Sequence, residues 1–135
     1  MTIRNLLLVL SGLVLGTALG FVLTVEVQSH LSRSKAALMY AAGNRMLEQG
    51  EIDAALVQFA QAIFVDPQLC SAYTSVGDVF IKEDKRRAGK QYYMTARKCF
   101  NAADPHTLMD LTQPEIQRER DRVDGVLRRL EPPSQ

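Results

Sequence analysis

The chain has 135 residues, of which 47% are hydrophobic and 23% are charged, and its formal net charge at pH 7 is +1. This near-neutral balance gives no general argument for nucleic-acid binding, so we expect no nucleic-acid partner. Once a long apolar segment near the N-terminus is set aside, the remainder suffices for one small domain with a modest core. Helix-forming residues dominate that remainder and strand-like alternation is missing from it, so the sequence predicts an all-α protein.

Residues 1–5 form a short N-terminal tail, and residues 6–25 form an uninterrupted segment without charged side chains, bounded by Arg4 and Glu26. Twenty residues in an α-helix rise about 30 Å, which spans the hydrocarbon core of a bilayer. The sequence therefore predicts a transmembrane helix, which can stay helical to about residue 34 because no Gly or Pro linker follows. The alternative is a cleaved secretory signal that starts at Arg4, but the apolar segment is longer than a signal core.

Small residues recur every four positions within this segment, at Gly12, Gly16, Gly20 and Thr24. On a helix they share one face, where a second membrane helix can approach closely enough for van der Waals contact between backbones. We therefore expect the segment to contact another membrane helix as well as membrane lipid. The alternative is that glycine is simply frequent in membrane helices.

Four further helices are predicted, at residues 35–49, 52–65, 69–83 and 85–102, with a turn at Gly50 and a break at Pro67. Small and large side chains recur in them in two copies with a fixed period. The first copy consists of Gly43, Met46, Ala55, Phe59, Ala62 and Pro67, and the second consists of Tyr73, Gly77, Phe80, Gly89, Tyr93 and Ala96. Small residues let two helices approach closely, a large side chain fills the groove beside them, and proline ends a helix.

This order of small, small, large and small residues followed by proline resembles the tetratricopeptide repeat (TPR) family. The resemblance implies a short helical solenoid of two repeats, residues 35–67 and 68–105. An ordinary bundle of helical hairpins with coincidental spacing is the alternative. Two repeats are fewer than the roughly three that a stable array needs, which favours support from a capping helix, a partner or self-association.

In the TPR family the first helix of each pair lines a concave, protein-binding face, so the resemblance implies a groove for a segment of a partner protein. The corresponding residues are Tyr40, Asn44, Leu47, Glu48, Thr74, Asp78, Ile81 and Lys82. Some relatives hold a peptide's terminal carboxylate with a clamp of Lys and Asn. Asn44 fits one clamp position, but Tyr40 stands where the first Lys is expected, so we expect no such clamp.

Residues 106–131 are predicted to form a connector and a last helix, and residues 132–135 a loose tail. Thr112 and Glu115 have the spacing of a capping box, and Pro114 is tolerated in a first helical turn. A narrow apolar stripe is formed by Ile116, Val123, Val126, Leu127 and Leu130. One apolar and one charged face are typical of the capping helix of a solenoid, and a free helix that binds a partner is the alternative.

Two features of the second repeat bear on its surroundings. Its basic residues outnumber Glu83 and Asp84, and they are Lys82, Lys85, Arg86, Arg87, Lys90, Arg97 and Lys98. They can meet lipid headgroups or an acidic partner, or form a solvated turn.

Cys70 and Cys99 fall at the same end of the predicted hairpin, so a disulfide is geometrically possible, although buried free thiols are the more common outcome.

Motifs that carry chemistry are missing from the sequence. His30 and His106 are far apart, and no Cys pair has the spacing of a zinc, redox or haem-attachment site. There is also no glycine-rich phosphate loop and no strained nucleophile turn. We therefore expect that the protein is not an enzyme and has no cofactor, metal site or small-molecule substrate.

Two functions remain open. The first is an accessory, scaffold or assembly subunit of a membrane protein complex, which the Gly row, the missing linker and the short array favour. The alternative is a tethered receptor or adaptor that transiently binds client proteins in secretion, import or cytochrome maturation. One short basic tail before the anchor is typical of a bacterial signal-anchor protein, so we expect a single-pass inner-membrane protein with its repeats outside the cytoplasm.

Overall fold

The computed structural model describes residues 31–102 and 112–131, and these residues contain helices and no strand. Helix α1 covers residues 31–48 of the described part, and four more helices follow it. They are α2 (Ile52–Val65), α3 (Cys70–Lys82), α4 (Arg86–Ala102) and α5 (Gln113–Leu130). The all-α prediction is therefore confirmed for the described residues.

The chain divides into two compact units, Met1–Ser34 and Lys35–Gln135, and the second holds the helical array. In the residues that the structure describes, no helix is both long enough and apolar enough to cross a membrane. The apolar segment at residues 6–25, with Gly12, Gly16, Gly20 and Thr24, lies outside the described residues. The transmembrane helix and its packing face therefore stay predictions.

Helices α1 and α2 form the first hairpin, and Gly43 sets their separation. A Cβ atom added at Gly43 would lie 2.6 Å from Cε1 of Phe59, so only glycine allows this approach. Phe59 is fully buried, as are Ala55 and Ala62 on the same face of α2. The contact between α1 and α2 is therefore centred on one large ring that packs against small residues.

Helices α3 and α4 form the second hairpin with the same arrangement. A Cβ atom at Gly77 would lie 2.8 Å from Cδ2 of Tyr93, and one at Gly89 would lie 2.7 Å from Cδ1 of Ile81. The added Cβ at Gly89 would also lie 3.1 Å from the carbonyl oxygen of Gly77, so the two backbones themselves are close. From the pair Gly77–Tyr93 to the pair Ile81–Gly89 the residue number rises on α3 and falls on α4, so the two helices are antiparallel.

The two hairpins also share the geometry of their turns. In the first turn Gly50 N donates to Leu47 O at 3.1 Å, and in the second Asp84 N donates to Ile81 O at 3.1 Å. The next amide in each turn, at Glu51 and Lys85, donates to the carbonyl of Met46 and Phe80 respectively, at 2.8 Å in both cases. Gly50 and Asp84 both have positive φ, at 80° and 56°. The period of the sequence is therefore also a period of the backbone hydrogen bonds.

The break between the hairpins lies at Asp66 and Pro67. Helix α2 ends at Val65, and the Asp66 Oδ1 atom accepts a hydrogen bond from the Gln68 amide at 3.0 Å. The Tyr73 hydroxyl donates to the Pro67 carbonyl at 3.3 Å, which ties the first turn of α3 to the break. Burial raises the pKa of Tyr73, and the nearby Asp66 carboxylate raises it further.

Helix α5 packs against the second hairpin. Ile116, Val123 and Leu127 are buried in the same cluster as Tyr93 and Phe100 of α4, while Val126 and Leu130 of the predicted stripe are half-buried. Arg120 of α5 also donates from Nε to the carbonyl oxygen of Phe100 at 3.2 Å, near the C-terminus of α4. A cation at this end of a helix is favourable because the last carbonyls lack partners. The alternative of a free last helix is therefore wrong.

Helix α5 begins with the predicted capping interaction. The amide and the hydroxyl of Thr112 each donate to the carboxylate of Glu115 at 2.7 Å, and Pro114 lies in the first turn. These two hydrogen bonds lower the pKa of Glu115, because they favour the ionised carboxylate.

Candidate functional site

Three residues of the predicted groove face solvent or lie half-exposed. Glu48 and Lys82 are exposed near the C-terminal ends of α1 and α3, and Asn44 is half-buried one turn before Glu48. The glutamate and the lysine both keep their charged groups in water. These three side chains remain available to a partner.

Tyr40 and Leu47 take part in packing between helices. The Tyr40 hydroxyl lies 3.2 Å from Oγ of Ser75 on α3, and its ring centroid lies 5.7 Å from that of Phe59. Leu47 packs against the cluster around Phe59 and Val76. Tyr40 and Leu47 therefore join α1 to its neighbours, and little of either side chain is left for a groove.

Thr74 is buried and Ile81 is partly buried. Thr74 is 3% exposed, and its hydroxyl donates to the Ser71 carbonyl at 2.8 Å. Ile81 packs against Gly89 and against the cluster that contains Tyr93 and Phe100. Packing of α4 and α2 against α3 therefore buries Thr74 and leaves Ile81 only partly accessible.

Asp78 is the centre of a polar network that joins three helices. The buried Tyr93 of α4 donates its phenolic proton to Oδ1 of Asp78, and Arg122 of α5 donates from Nη2 to Oδ2. Arg122 also lies 3.6 Å from Glu119. Both oxygens of the Asp78 carboxylate are thus occupied, so its role here is to position helices.

The network changes the pKa values of its members. Burial raises the pKa of Tyr93 strongly, and the hydrogen bond to Asp78 adds to the rise because it favours the protonated phenol. Burial alone would lower the pKa of Arg122, but the contact with Asp78 outweighs it and raises that pKa. The sequence offers no signal for this network, because its three residues come from three separate helices.

A disulfide bond joins Cys70 at the start of α3 to Cys99 near the end of α4. Their Cα atoms are 5.5 Å apart, and no cysteine in the chain is free. The expectation of free thiols is therefore wrong. The antiparallel pairing explains the bridge, since Gly77–Tyr93 and Ile81–Gly89 set the same register that brings Cys70 opposite Cys99. The structure thus realises the geometrically possible alternative.

The basic residues of the second repeat lie mainly on α4. This helix carries five Lys and Arg residues and no Asp or Glu. Arg97 lies 3.8 Å from Asp124 of α5, and Arg86 lies 3.6 Å from Asp84, where both side chains are highly exposed. The turn between α3 and α4 forms a shallow open depression, lined by Asp84, Lys85, Arg86, Arg87, Ala88 and Gln91.

Large apolar side chains stand exposed on the first hairpin, and the sequence analysis did not identify them. Phe64 is 87% exposed and Val57 is 54% exposed on α2, and Leu38 is 71% exposed on α1. Single exposed apolar residues are ordinary, whereas apolar residues that share one face, as Val57 and Phe64 do on α2, are a candidate contact surface. A signal was present in the sequence, because Val57 and Phe64 fall opposite the buried Ala55, Phe59 and Ala62 on a helix of 3.6 residues per turn.

Within the two described stretches, no group of three or more His, Cys, Asp and Glu side chains is placed to hold a metal ion. The arrangement offers packed helices, a polar network and charged or apolar surfaces, which are means of binding other molecules. A scan against models of protein families finds no match, and a search of curated proteins finds no significant relative.

Proposed function

We propose that this chain is a non-catalytic, membrane-anchored TPR protein that serves as an accessory or assembly subunit of a membrane protein complex. The repeated packing pair carries the proposal: Gly43 against Phe59 in one hairpin, and Gly77 against Tyr93 at the equivalent positions of the next. A TPR array needs this close helix approach in each repeat, and its usual use is binding other proteins.

The burial and bonding of the predicted groove residues favour a subunit over a transient receptor. Thr74 is buried, Ile81 is partly buried, and Asp78 is engaged by Tyr93 and Arg122. A client-binding groove would need such side chains free to change partners. A rigid array that presents fixed outer surfaces suits a permanent neighbour better.

The disulfide supports the proposed location of the repeats. Structural disulfides persist in oxidising compartments such as the bacterial periplasm and are rare in the cytosol. The Cys70–Cys99 bridge therefore agrees with an array outside the cytoplasm, held to the inner membrane by the apolar segment at residues 6–25. That segment would supply a second contact through its row of glycines.

Native purification tests the proposal. The full chain, tagged at its C-terminus, is extracted from membranes in a mild detergent, and the proteins that migrate with it are identified. A discrete complex with partners at fixed ratio that survives high salt supports a subunit. A lone protein, or many substoichiometric clients that salt removes, would instead identify the transient receptor.

A pair of variants in the anchor sharpens this test. Gly16→Leu places a large side chain on the predicted packing face, and Val14→Leu changes a neighbouring position on another face by a single methylene. We expect Gly16→Leu to release the partners and Val14→Leu to keep them. Equal co-purification of both variants would show that the glycine row makes no contact with the complex.

A further inference from the structure

The outward faces of α2 and α4 occupy equivalent positions of the two repeats but differ in chemistry. The exposed positions of α2 are Asp53, Val57, Ala60 and Phe64, and the equivalent positions of α4 are Arg87, Gln91, Met94 and Lys98. All eight residues are exposed. One face is therefore apolar after its first residue, whereas the other is basic and polar.

The two helices share one apolar cluster. Tyr92 of α4 packs against the apolar cluster that Phe59 and Leu56 of α2 help to build, and its ring centroid lies 5.4 Å from that of Phe80. Because α2 and α4 hold the same place in successive repeats, their outer faces point to the same side of the array. We define this side, by Val57, Phe64, Arg87 and Lys98, as the outer surface.

Asp53 is the one acidic residue among the eight outward positions, and the basic residues at those positions are left without ion-pair partners within the described residues. Arg87, Lys90 and Lys98 make no ion pair with any residue in the described part of the chain, and α4 itself has no acidic residue. These basic residues of α4 are thus free to attract an anionic partner, and Phe64 on the outward face of α2 is 87% exposed.

We propose that the outer surface binds an anionic lipid bilayer, with Phe64 inserted at the interface and the basic residues of α4 on the headgroups. This inference rests on the proposed membrane location of the chain. A bilayer offers anionic groups and an apolar layer beneath them over a wide area, which matches basic residues on α4 and an exposed aromatic ring at an equivalent position of α2. Long Lys and Arg side chains can reach headgroups while the aromatic ring sits lower.

Fluorescence quenching in nanodiscs tests the proposal on the full chain. The protein contains no tryptophan, so Phe64→Trp introduces a single fluorophore at a highly exposed site. The discs contain brominated acyl chains as the quencher, with either phosphatidylcholine alone or an added fraction of phosphatidylglycerol. We expect strong quenching in the anionic discs that weakens in zwitterionic discs and at high salt. The control Gln117→Trp, exposed on α5, should be quenched in neither.

Charge variants in the Phe64→Trp background isolate the contribution of α4. Each basic residue near an anionic surface strengthens binding about fivefold, so Arg87→Gln combined with Lys98→Gln should lower the ratio of docked to undocked protein about 25-fold. The matched control, Arg128→Gln with Arg129→Gln, makes the same change in net charge on α5 and should leave the quenching intact.

The outcomes separate this inference from the proposed function. If the chain enters the discs but the Phe64→Trp fluorophore is unquenched, or is quenched equally without anionic lipid, the inference is overturned and the surface belongs to a protein partner. If the protein is instead recovered outside the discs, the predicted transmembrane anchor is contradicted. The soluble protein is then mixed with anionic discs: quenching would still support lipid binding by the outer surface, and an absence of quenching would overturn that inference.

Discussion

Gly77 lies against the ring of Tyr93, so closely that a Cβ atom at position 77 would be 2.8 Å from Cδ2 of that ring. The ring cannot move away freely, because Tyr93 is buried and its hydroxyl is bonded to Asp78. The same contact exists between Gly43 and Phe59 in the first hairpin. The close packing of the helices therefore depends on the absence of a methyl group at these two positions, in addition to Gly89.

We expect Gly77→Ala to destabilise the array. Replacing glycine by alanine in a helix normally gains up to about 1 kcal/mol, but overpacking against a fixed ring costs about 1–3 kcal/mol. With the full helix-propensity gain subtracted, the net loss should be up to about 2 kcal/mol, measured by thermal unfolding followed by circular dichroism in detergent. Gly125→Ala on α5 is the control, since its nearest neighbour is Arg129 Nη1 at 3.9 Å, and it should stabilise the protein. A stabilising Gly77→Ala would show that α3 and α4 are farther apart.

Substitutions at the equivalent positions Gly50 and Asp84 of the two turns should have opposite effects on stability. Asp84 has a φ of 56°, which a residue with a Cβ adopts at a cost, whereas Gly50 has a φ of 80° at no cost. Asp84→Gly should therefore raise the free energy of unfolding by about 0.5–1 kcal/mol, and Gly50→Ala should lower it by about 1 kcal/mol. The Asp84–Arg86 ion pair is too exposed to offset the gain. Urea unfolding measures both, and equal signs would contradict the shared turn geometry.

Reduction of the disulfide should lower stability. The bridge closes a loop with a sequence separation of 29 residues, for which loop-closure entropy gives about 3.5 kcal/mol. We expect dithiothreitol to lower the melting temperature of the native chain and to leave the double variant Cys70→Ala, Cys99→Ala unaffected. Mass spectrometry after alkylation counts the free thiols. Two alkylated thiols in the untreated protein would contradict the bridge.

Tyr93→Phe removes the hydrogen bond to Asp78 while keeping the ring in place. Hydrogen bonds to charged groups contribute about 1.5–3 kcal/mol, and Arg122 still holds the carboxylate, so we expect a loss near the lower end, about 1.5 kcal/mol. Tyr40→Phe is a useful comparison, because the Tyr40 hydroxyl contacts the neutral Ser75 hydroxyl and should contribute less to stability. Equal losses in the two variants would mean that Asp78 does not organise the three helices.

The raised pKa of Tyr93 predicts how the free energy of unfolding changes at high pH. Folding raises the pKa of Tyr93, so the unfolded chain loses this proton first, at about pH 10. The stabilisation from the protonated phenol is complete below that pH and declines as the pH rises toward the folded-state pKa. Tyr93→Phe should flatten this decline relative to the native chain, as measured by urea unfolding between pH 8 and about 11. An unchanged slope would exclude Tyr93 as its source.

For the residues that the structure describes, the sequence alone was sufficient to predict the helices and the recurrent spacing of glycine and aromatic residues. Gly43 with Phe59 and Gly77 with Tyr93 have the same spacing, and Gly50 matches the turn at Asp84. Such features are readable because helix periodicity and turn chemistry are local, and a close helix approach demands small residues wherever it occurs. The capping pair Thr112 and Glu115 was predictable for the same reason.

Only the tertiary structure decided which polar and apolar side chains remain free. The predicted groove residue Asp78 proved to be bonded to Tyr93 and Arg122, and Cys70 proved to be bridged to Cys99. The exposed Phe64 likewise stands out only once α2 is packed. These outcomes depend on the register between helices and on where α5 docks, which long-range packing sets and which no local pattern of residues encodes.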